Sequence, residues 1–384
     1  MKKMKINHPL MTPALTQLFE LLEYQCYFVG GVVRDLLMNK PIHDIDLATP
    51  LLAEDVCARL QKSSIKIIPT GIKHGTLTLI LPDKTLIEIT TFRKDIQTDG
   101  RHATVIFGND IIQDALRRDF TINALYMDAQ GQILDFTTGL KDVQKKRLRF
   151  IGNAEERIKE DALRILRYFR FFGQTNQKKP DKETLKACKS QRHLLASLSK
   201  ERIYGEMQKI LCFTNPLPTL RLMDKSGILK QIIPQYDLRK IKLLITKERR
   251  CGFQTSFLFR LWILSNSQKP NWIQKKTEKK EFEKLKKAFE YPIKSRLEEL
   301  RVLYFFGKDI FLNTLLYKKR LYFSSFYFYQ HIKEPICPFT AQDIADFFNV
   351  KGHFLGEKIN ECEKKWLDLN CPEKKEVVFH QISS

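Results

Sequence analysis

At 384 residues the chain has room for two or more domains with cores of their own, and 43% hydrophobic with 11% aromatic side chains exclude a disordered polymer. The formal net charge is +22 and uneven: residues 1–150 hold 20 basic and 17 acidic side chains, which leaves +19 for the remaining 234. A polyanion such as RNA is therefore expected to be drawn mainly to the C-terminal part.

In chain order, Leu15–Gln25 has helical periodicity, and Tyr27–Val29 reads as a short strand running into Gly30-Gly31 and a helix over 32–39. Ile45–Ala48 reads as a buried strand and Leu51–Gln61 as a helix. Residues 65–68, 77–81 and 86–91, rich in Ile, Leu and Thr with turn residues between, are strand candidates. A helix over 114–125 is followed by strands at 126–128 and 133–136. Beyond residue 148 strand signals almost vanish, and helices are expected over 154–172, 182–197, 200–211, 216–226, 278–289, 295–304 and 340–348. The expected class is α+β, an N-terminal head with a small mixed sheet in front of an all-α remainder. The lysine-rich segment Gln274–Lys287 reads as a solvated helix face with i, i+4 pairs.

The eight cysteines are scattered without a C-x-x-C pair, which excludes a zinc ribbon and predicts reduced thiols. No stretch of 18 uncharged apolar residues is present, so no membrane contact is expected. The lysines at the start are not followed by a long apolar run, and the first motif begins near residue 28, so the expected location is cytoplasmic.

Two features carry chemistry. The run Phe28-Val-Gly-Gly-Val-Val-Arg-Asp35 takes a strand through Gly30 and Gly31 into a helix, where bare backbone can approach a phosphate and Arg34, one turn in, can reach the same anion. Asp44-Ile-Asp46 follows. Strand alternation puts Asp44 and Asp46 on one face with Ile45 behind, and two carboxylates so placed repel unless a cation such as Mg²⁺ sits between them. A pair of such ions can activate an attacking hydroxyl and stabilise a leaving pyrophosphate. Glu88, on the strand Ile87–Thr91, is either a third carboxylate near that metal site or a half-buried structural residue.

Gly-Gly-x-x-Arg-Asp followed by Asp-x-Asp resembles the polymerase-β-like nucleotidyltransferases. Four further blocks narrow the resemblance to class II tRNA nucleotidyltransferases (CCA-adding enzymes) and bacterial poly(A) polymerases. They are Thr91-Phe-Arg93 with Asp99-Gly-Arg-His102, Arg117-Arg-Asp-Phe-Thr-Ile-Asn-Ala-Leu125, Glu160-Asp-Ala-Leu-Arg-Ile-Leu-Arg167, and Ser199-Lys-Glu-Arg-Ile203 with Glu206-Met207. The match covers residues 28 to about 211, and the rest of the chain carries no matching motif.

The resemblance implies a nucleotidyltransferase head over 1–148, a helical neck for base recognition over 149–215, a helical body over 216–320 and an RNA-binding helical tail over 321–384. It implies that Arg118 contacts a triphosphate and Asp119 accepts from a ribose 2′-hydroxyl; the plain alternative is an ion pair between these two. Asp161 and Arg164, read as i, i+3 on one helix, could together meet the Watson–Crick edge of cytosine or adenine, since a carboxylate accepts from an exocyclic amine and a guanidinium donates to ring acceptors. Arg167 and Arg170 continue that stripe towards the triphosphate. The alternative for all four is a salt-bridge ladder.

Within the family, Thr70-Gly-Ile-Lys-His-Gly-Thr76 resembles the tRNA enzymes, and the arginine-rich signature of the poly(A) polymerases is missing. The leading expectation is addition of C, C and A from CTP and ATP to the tRNA 3′ end with Mg²⁺, and no DNA partner. Poly(A) synthesis comes second, then addition of only A or only CC. An inactive basic RNA-binding protein is the reading from another class.

Overall fold

The computed structural model describes residues 2–6, 10–42, 44–98, 103–175, 177, 179–319, 321 and 323–383. The chain divides into two compact units, one of Met1–Ile210 with Pro218–Ile232, the other of Leu211–Leu217 with Ile233–Ser384.

The first unit runs β1 (Lys2–Lys5), α1 (Pro13–Leu21), β2 (Tyr27–Val29), α2 (Gly31–Leu37), β3 (Ile45–Thr49), α3 (Ala53–Leu60), β4 (Lys66–Gly71), β5 (Thr76–Ile80), β6 (Leu86–Thr91), β7 (Arg93–Thr98), β8 (Ala103–Phe107), α4 (Ile111–Arg117), β9 (Leu125–Met127), β10 (Gln132–Asp135) and α5 (Gly139–Gln144). Helices α6 (Ala154–Glu160), α7 (Leu163–Gln174), α8 (Lys182–Ser190), α9 (Lys200–Leu211), α10 (Leu217–Lys225) and α11 (Ile228–Ile232) follow. Eight strands form one mixed sheet in the order β1-β10-β9-β2-β3-β6-β5-β4, and β7 and β8 form a separate ribbon. The β3–β6 pair is parallel and its neighbours antiparallel, as expected of a mixed sheet in the head.

Register decides what the sheet presents. Asp46 lies opposite Glu88 across the parallel pair, with Leu47 opposite Ile89 buried on the other face. Phe92 closes the sheet's core beside Val29, Ala48, Ala115 and Tyr126, its ring 6.2 Å from those of Tyr27 and Tyr126.

Three expected helices end early. The helix expected over 114–125 stops at Arg117, and residues 121–123 form a single 3₁₀ turn. Asp114 draws Arg117 and Arg118 to itself, Arg118 leaves the helix with ψ 164°, and Phe120 turns in to stack on Phe150 at 4.7 Å. The helix expected over 154–172 breaks at Asp161, whose backbone is extended (φ −153°, ψ 105°) and whose carboxylate accepts from Leu163 N–H at 3.0 Å, the competition by which aspartate interrupts helices. The helix from Lys182 ends at Ser190, with a 3₁₀ segment over 192–197. The strand at Lys2–Lys5 carries too little apolar pattern to show in the sequence and is held as an edge by β10.

The second unit is helical: α12 (Leu238–Cys251), α13 (Phe257–Leu264), α14 (Lys276–Glu290), α15 (Arg296–Phe306), α16 (Lys308–Lys318), α17 (Phe323–Gln330), α18 (Ala341–Phe348), α19 (His353–Asp368) and α20 (Lys375–Ser383). Capping boxes at Ser295/Glu298 and Thr340/Asp343 fix two helix starts. Trp366 and Phe379 anchor one core, and a buried Arg260–Glu248 pair ties α13 to α12. The lysine-rich stretch is α14, with Phe282, Leu285 and Ala288 inward. No helix among the described residues is long and apolar enough to cross a membrane, and all eight cysteines are unpaired.

Candidate active site

A cleft of about 560 Å³ in the first unit gathers Gly30, Gly31, Arg34, Asp44, Asp46, Arg118, Asp119, Asp161, Arg164, Arg167 and Arg170, every site residue read from the sequence except Glu88. Seven arginines and five aspartates line it, an excess of cations suited to a polyphosphate.

The floor is the turn between β2 and α2. Gly30 has φ +73°, ψ −117°, a conformation that needs glycine, and an added Cβ would lie 3.7 Å from Arg118 Nη1. Its N–H donates to Leu125 O at 3.2 Å, so Gly31 and Val32, the first residues of α2, are left to face the cleft. Gly31 has room for a Cβ, with Arg34 Nη2 at 3.8 Å. Arg34 is 3% exposed and pinned on both sides. It donates to Asp35 through Nε and Nη2 at 2.9 and 2.7 Å, and to Asn123 Oδ1 at 2.7 Å. Arg34 therefore shapes the floor and supplies positive potential rather than swinging freely.

Asp44 stands exposed just before β3 and Asp46 on β3 is half-buried, with Ile45 half-buried rather than buried behind them. Neither carboxylate makes a hydrogen bond or ion pair among the described residues. Burial, and then the facing charge of Glu88, push the Asp46 carboxyl above the usual range. Glu88 itself is exposed, not half-buried, and sits across the strand from Asp46 without lining the cleft. Acceptor-only oxygens in mutual repulsion fit a hard divalent cation that takes its other ligands from phosphate or water. No cluster of three metal-ligating side chains occurs among the described residues, so the protein offers two carboxylates, with Glu88 beside them.

On the opposite wall the acids are paired with arginines. Arg118 donates to Asp114 Oδ2 at 2.9 Å and to Tyr126 Oη at 3.0 Å, and Tyr126 donates to the same Asp114 oxygen at 2.5 Å. Asp119 accepts from Arg167 Nε and Nη2 at 2.7 and 2.6 Å, from Phe120 N–H at 2.9 Å and from Asn123 Nδ2 at 3.3 Å. Burial opposes the Asp119 charge, yet Arg167 and these donors hold its carboxyl below the usual range. The expected alternative of an Arg118–Asp119 pair does not occur, since each has a different partner.

Asp161 is not on one helix with Arg164: the break places it between α6 and α7, where Arg202 of α9 donates to it at 2.7 Å. Arg164 donates to Glu160 and to Arg157 O. Arg170, 9% exposed, donates to Glu206 at 2.7 Å and lies over the Phe171 ring at 4.0 Å. Arg34 and Arg167 flank the same ring at 5.1 and 5.2 Å. The stripe is therefore no ladder along α7, because Asp119, Asp161 and Glu206 bind it to other elements. Asn123, Phe171, Arg157 and Arg202 carry this geometry without having been given roles from the sequence; Asn123 and Arg202 fall inside the motif blocks, which was the available signal. Residues 99–102 of the Thr91–His102 block lie outside the described residues; its start, Arg93, lines the cleft and donates to His74 O at 2.8 Å.

An acidic pair thus faces an arginine-rich wall on a mixed sheet backed by helices. Residues 26–149 match the family described as the Poly A polymerase head domain, and residues 179–239 match the probable RNA and SrmB-binding site of polymerase A. The chain is 40% identical over 219 residues to the mitochondrial CCA tRNA nucleotidyltransferase 1 of Danio rerio, covering 56% of this chain and 50% of that protein. It is 44% identical over 194 residues to the CCA-adding enzyme of Streptococcus uberis, covering 50% and 47%. The chain thus spans about half the length of the curated relatives it matches. The Bacillus stearothermophilus CCA-adding enzyme in complex with CTP superposes with a TM-score of 0.72 at 24% identity, over 97% of this chain and 98% of that one. The Thermotoga maritima CCA-adding enzyme complexed with tRNA gives 0.63 at 21%, over 97% and 96%. These likenesses bear out the family resemblance carried by the motifs, and the superpositions extend the shared fold to nearly the whole chain.

Proposed function

We propose that the chain is a CCA-adding tRNA nucleotidyltransferase. The 3′-hydroxyl of the RNA attacks the α-phosphate of CTP or ATP; the new P–O bond forms as the bond to the β-phosphate oxygen breaks, and pyrophosphate leaves. The observation that carries this reading is the convergence, in one cleft, of unpaired Asp44 and Asp46 with the arginines of the opposite wall.

Asp44 and Asp46 would hold Mg²⁺, which when bound neutralises charge between hydroxyl and phosphate. Around it the chain's own groups bind and orient. Arg118, fixed by Asp114 and Tyr126, takes the triphosphate at the Gly30-Gly31 turn. Asp119 faces the ribose, its direction set by Arg167 and Asn123. Asp161 and Arg164 meet the Watson–Crick edge, and Arg202 and Glu160 set their angles. A cytosine or adenine edge satisfies both groups; a uracil or guanine edge leaves a buried polar group unmatched, the kind of penalty that discriminates strongly. The RNA body is expected to draw on the +19 charge beyond residue 150, and the mitochondrial location of some relatives stands beside the cytoplasmic one expected for this chain.

Poly(A) synthesis is the second reading, favoured by the description of the matched head family. Purified protein with Mg²⁺ and tRNA lacking its CCA end, offered CTP and ATP separately and together, separates the two at single-nucleotide resolution. Growth by C, C and A that then stops is the expected result. A long A ladder on unrelated RNA would replace the proposal with poly(A) polymerase, and no incorporation would leave a basic RNA-binding protein.

A further inference from the structure

Arg157, outside the proposed contacts with substrate, makes an unusual set of bonds. Its guanidinium donates to Arg118 O at 2.6 Å, to Arg117 O, and to Glu160 Oε2 at 2.6 Å. The two carbonyls are within its reach because α4 stops at Arg117 and the chain turns away at Arg118. Glu160 Oε2 also accepts from Arg164 Nη1, and that same Nη1 donates to Arg157 O at 2.7 Å, placing a cation on the last turn of α6.

The result is a closed chain: the backbone behind Arg118, the Arg157 fork, one oxygen of Glu160, then Arg164. Arg157 and Arg164 side chains are only 13% and 11% exposed, while the Glu160 carboxylate that links them is 36% exposed. Arg164 Nε and Nη2 make no bond among the described residues, and Arg164 lines the cleft, so its unused donors remain for a ligand. Arg157 Nε is buried without a hydrogen-bond partner among the described residues.

We infer that Arg157 is a positioning residue for base choice: it fixes the guanidinium of Arg164 relative to the backbone that carries Arg118, so that the base is read at a set distance from the triphosphate. This rests on the proposed reading of Arg164 as a base contact. A planar fork bridging two carbonyls and a carboxylate is a task lysine performs only in part.

The test uses the full chain, Mg²⁺, tRNA lacking its CCA end and each of the four nucleoside triphosphates, with R157Q, R157K and R164A compared. R157Q is expected to lower the preference for CTP and ATP over UTP and GTP roughly tenfold, while the KM for CTP moves less than about twofold; R157K falls between. Equal losses for all four nucleotides with preference intact would make Arg157 merely structural and overturn the inference. Should R157Q fail to fold, R157K decides by the same readout. If R164A leaves preference unchanged, the base reading itself fails and takes this inference with it. If R164A loosens preference but neither Arg157 variant does, only the inference fails.

Discussion

At the start of β3 the carboxylates of Asp44 and Asp46 face the cleft with no ion pair among the described residues, whereas across from them Asp119, Asp161 and Glu206 are each matched to an arginine. Both walls collect charge, but only one has settled it internally. Unpaired acids raise the energy of the empty cleft and favour whatever cation enters; paired acids and arginines spend no reorganisation when a nucleotide arrives. On the proposed function, chemistry would fall to the strand and recognition to the helices, a division that breaks down if the two walls respond alike to substitution.

The largest separation is expected at Asp46. On the proposed function, Asp46→Ala should cut incorporation by about a thousandfold or more, since several kcal/mol of transition-state stabilisation would depend on the metal it holds. RNA binding, measured by gel shift, should hold. The same variant sharpens the comparison without any assay of turnover: Mg²⁺ should raise the melting temperature of the parent protein and not that of Asp46→Ala. In chelator the variant should melt no lower than the parent, because it removes repulsion with Asp44 and Glu88. A variant that lost several degrees in chelator would show that Asp46 is settled after all.

Asp119 should behave in the opposite way. Asp119→Asn leaves the Arg167 charge facing a neutral group and should cost about 2 kcal/mol in denaturant unfolding at pH 7. Because the folded-state carboxyl lies below its unfolded value, that stabilisation is present above about pH 4 and is lost as pH falls further through the folded value. Parent and variant should therefore converge in acid. A constant gap down to pH 2 would mean that packing, not charge, is what Asp119 contributes.

Asp161→Ala should loosen discrimination against UTP and GTP by about tenfold while incorporation of CTP persists. Unchanged discrimination would remove base reading from this wall.

The sequence carried the strand side of the site almost whole. Asp44 and Asp46 are two residues apart where β3 begins, and Gly30 sits at a turn whose φ admits little else, so local geometry was enough. The helical side was legible in composition but not in arrangement. Asp161 and Arg164 read as one helical face because periodicity cannot see that an aspartate will cap Leu163 and break the helix. Arg202, Glu206 and Asn123 act through partners 41, 36 and 89 residues away, separations at which only the folded chain reveals pairing. α4 also looked longer than it is: Tyr126, twelve residues on, donates to Asp114, a contact that periodicity does not show. The helical second unit was legible as helices only, its caps and periodicity being local and its role carrying no motif.

The smallest effect probes the joint between the walls. Tyr126→Phe removes one phenol that donates to Asp114 and accepts from Arg118, keeping the ring that packs on Phe92. One hydrogen-bonded group at this site is worth about 1 kcal/mol, so the KM for CTP and ATP alike should rise about fivefold. Base choice should not move, because Arg118 O stays on Arg157 and Arg164 keeps its anchor. If discrimination fell by the same factor as the KM rose, the side chain of Arg118 would be reading the base along with the phosphate. The division between a wall for chemistry and a wall for recognition would then have to be redrawn through Arg118 itself.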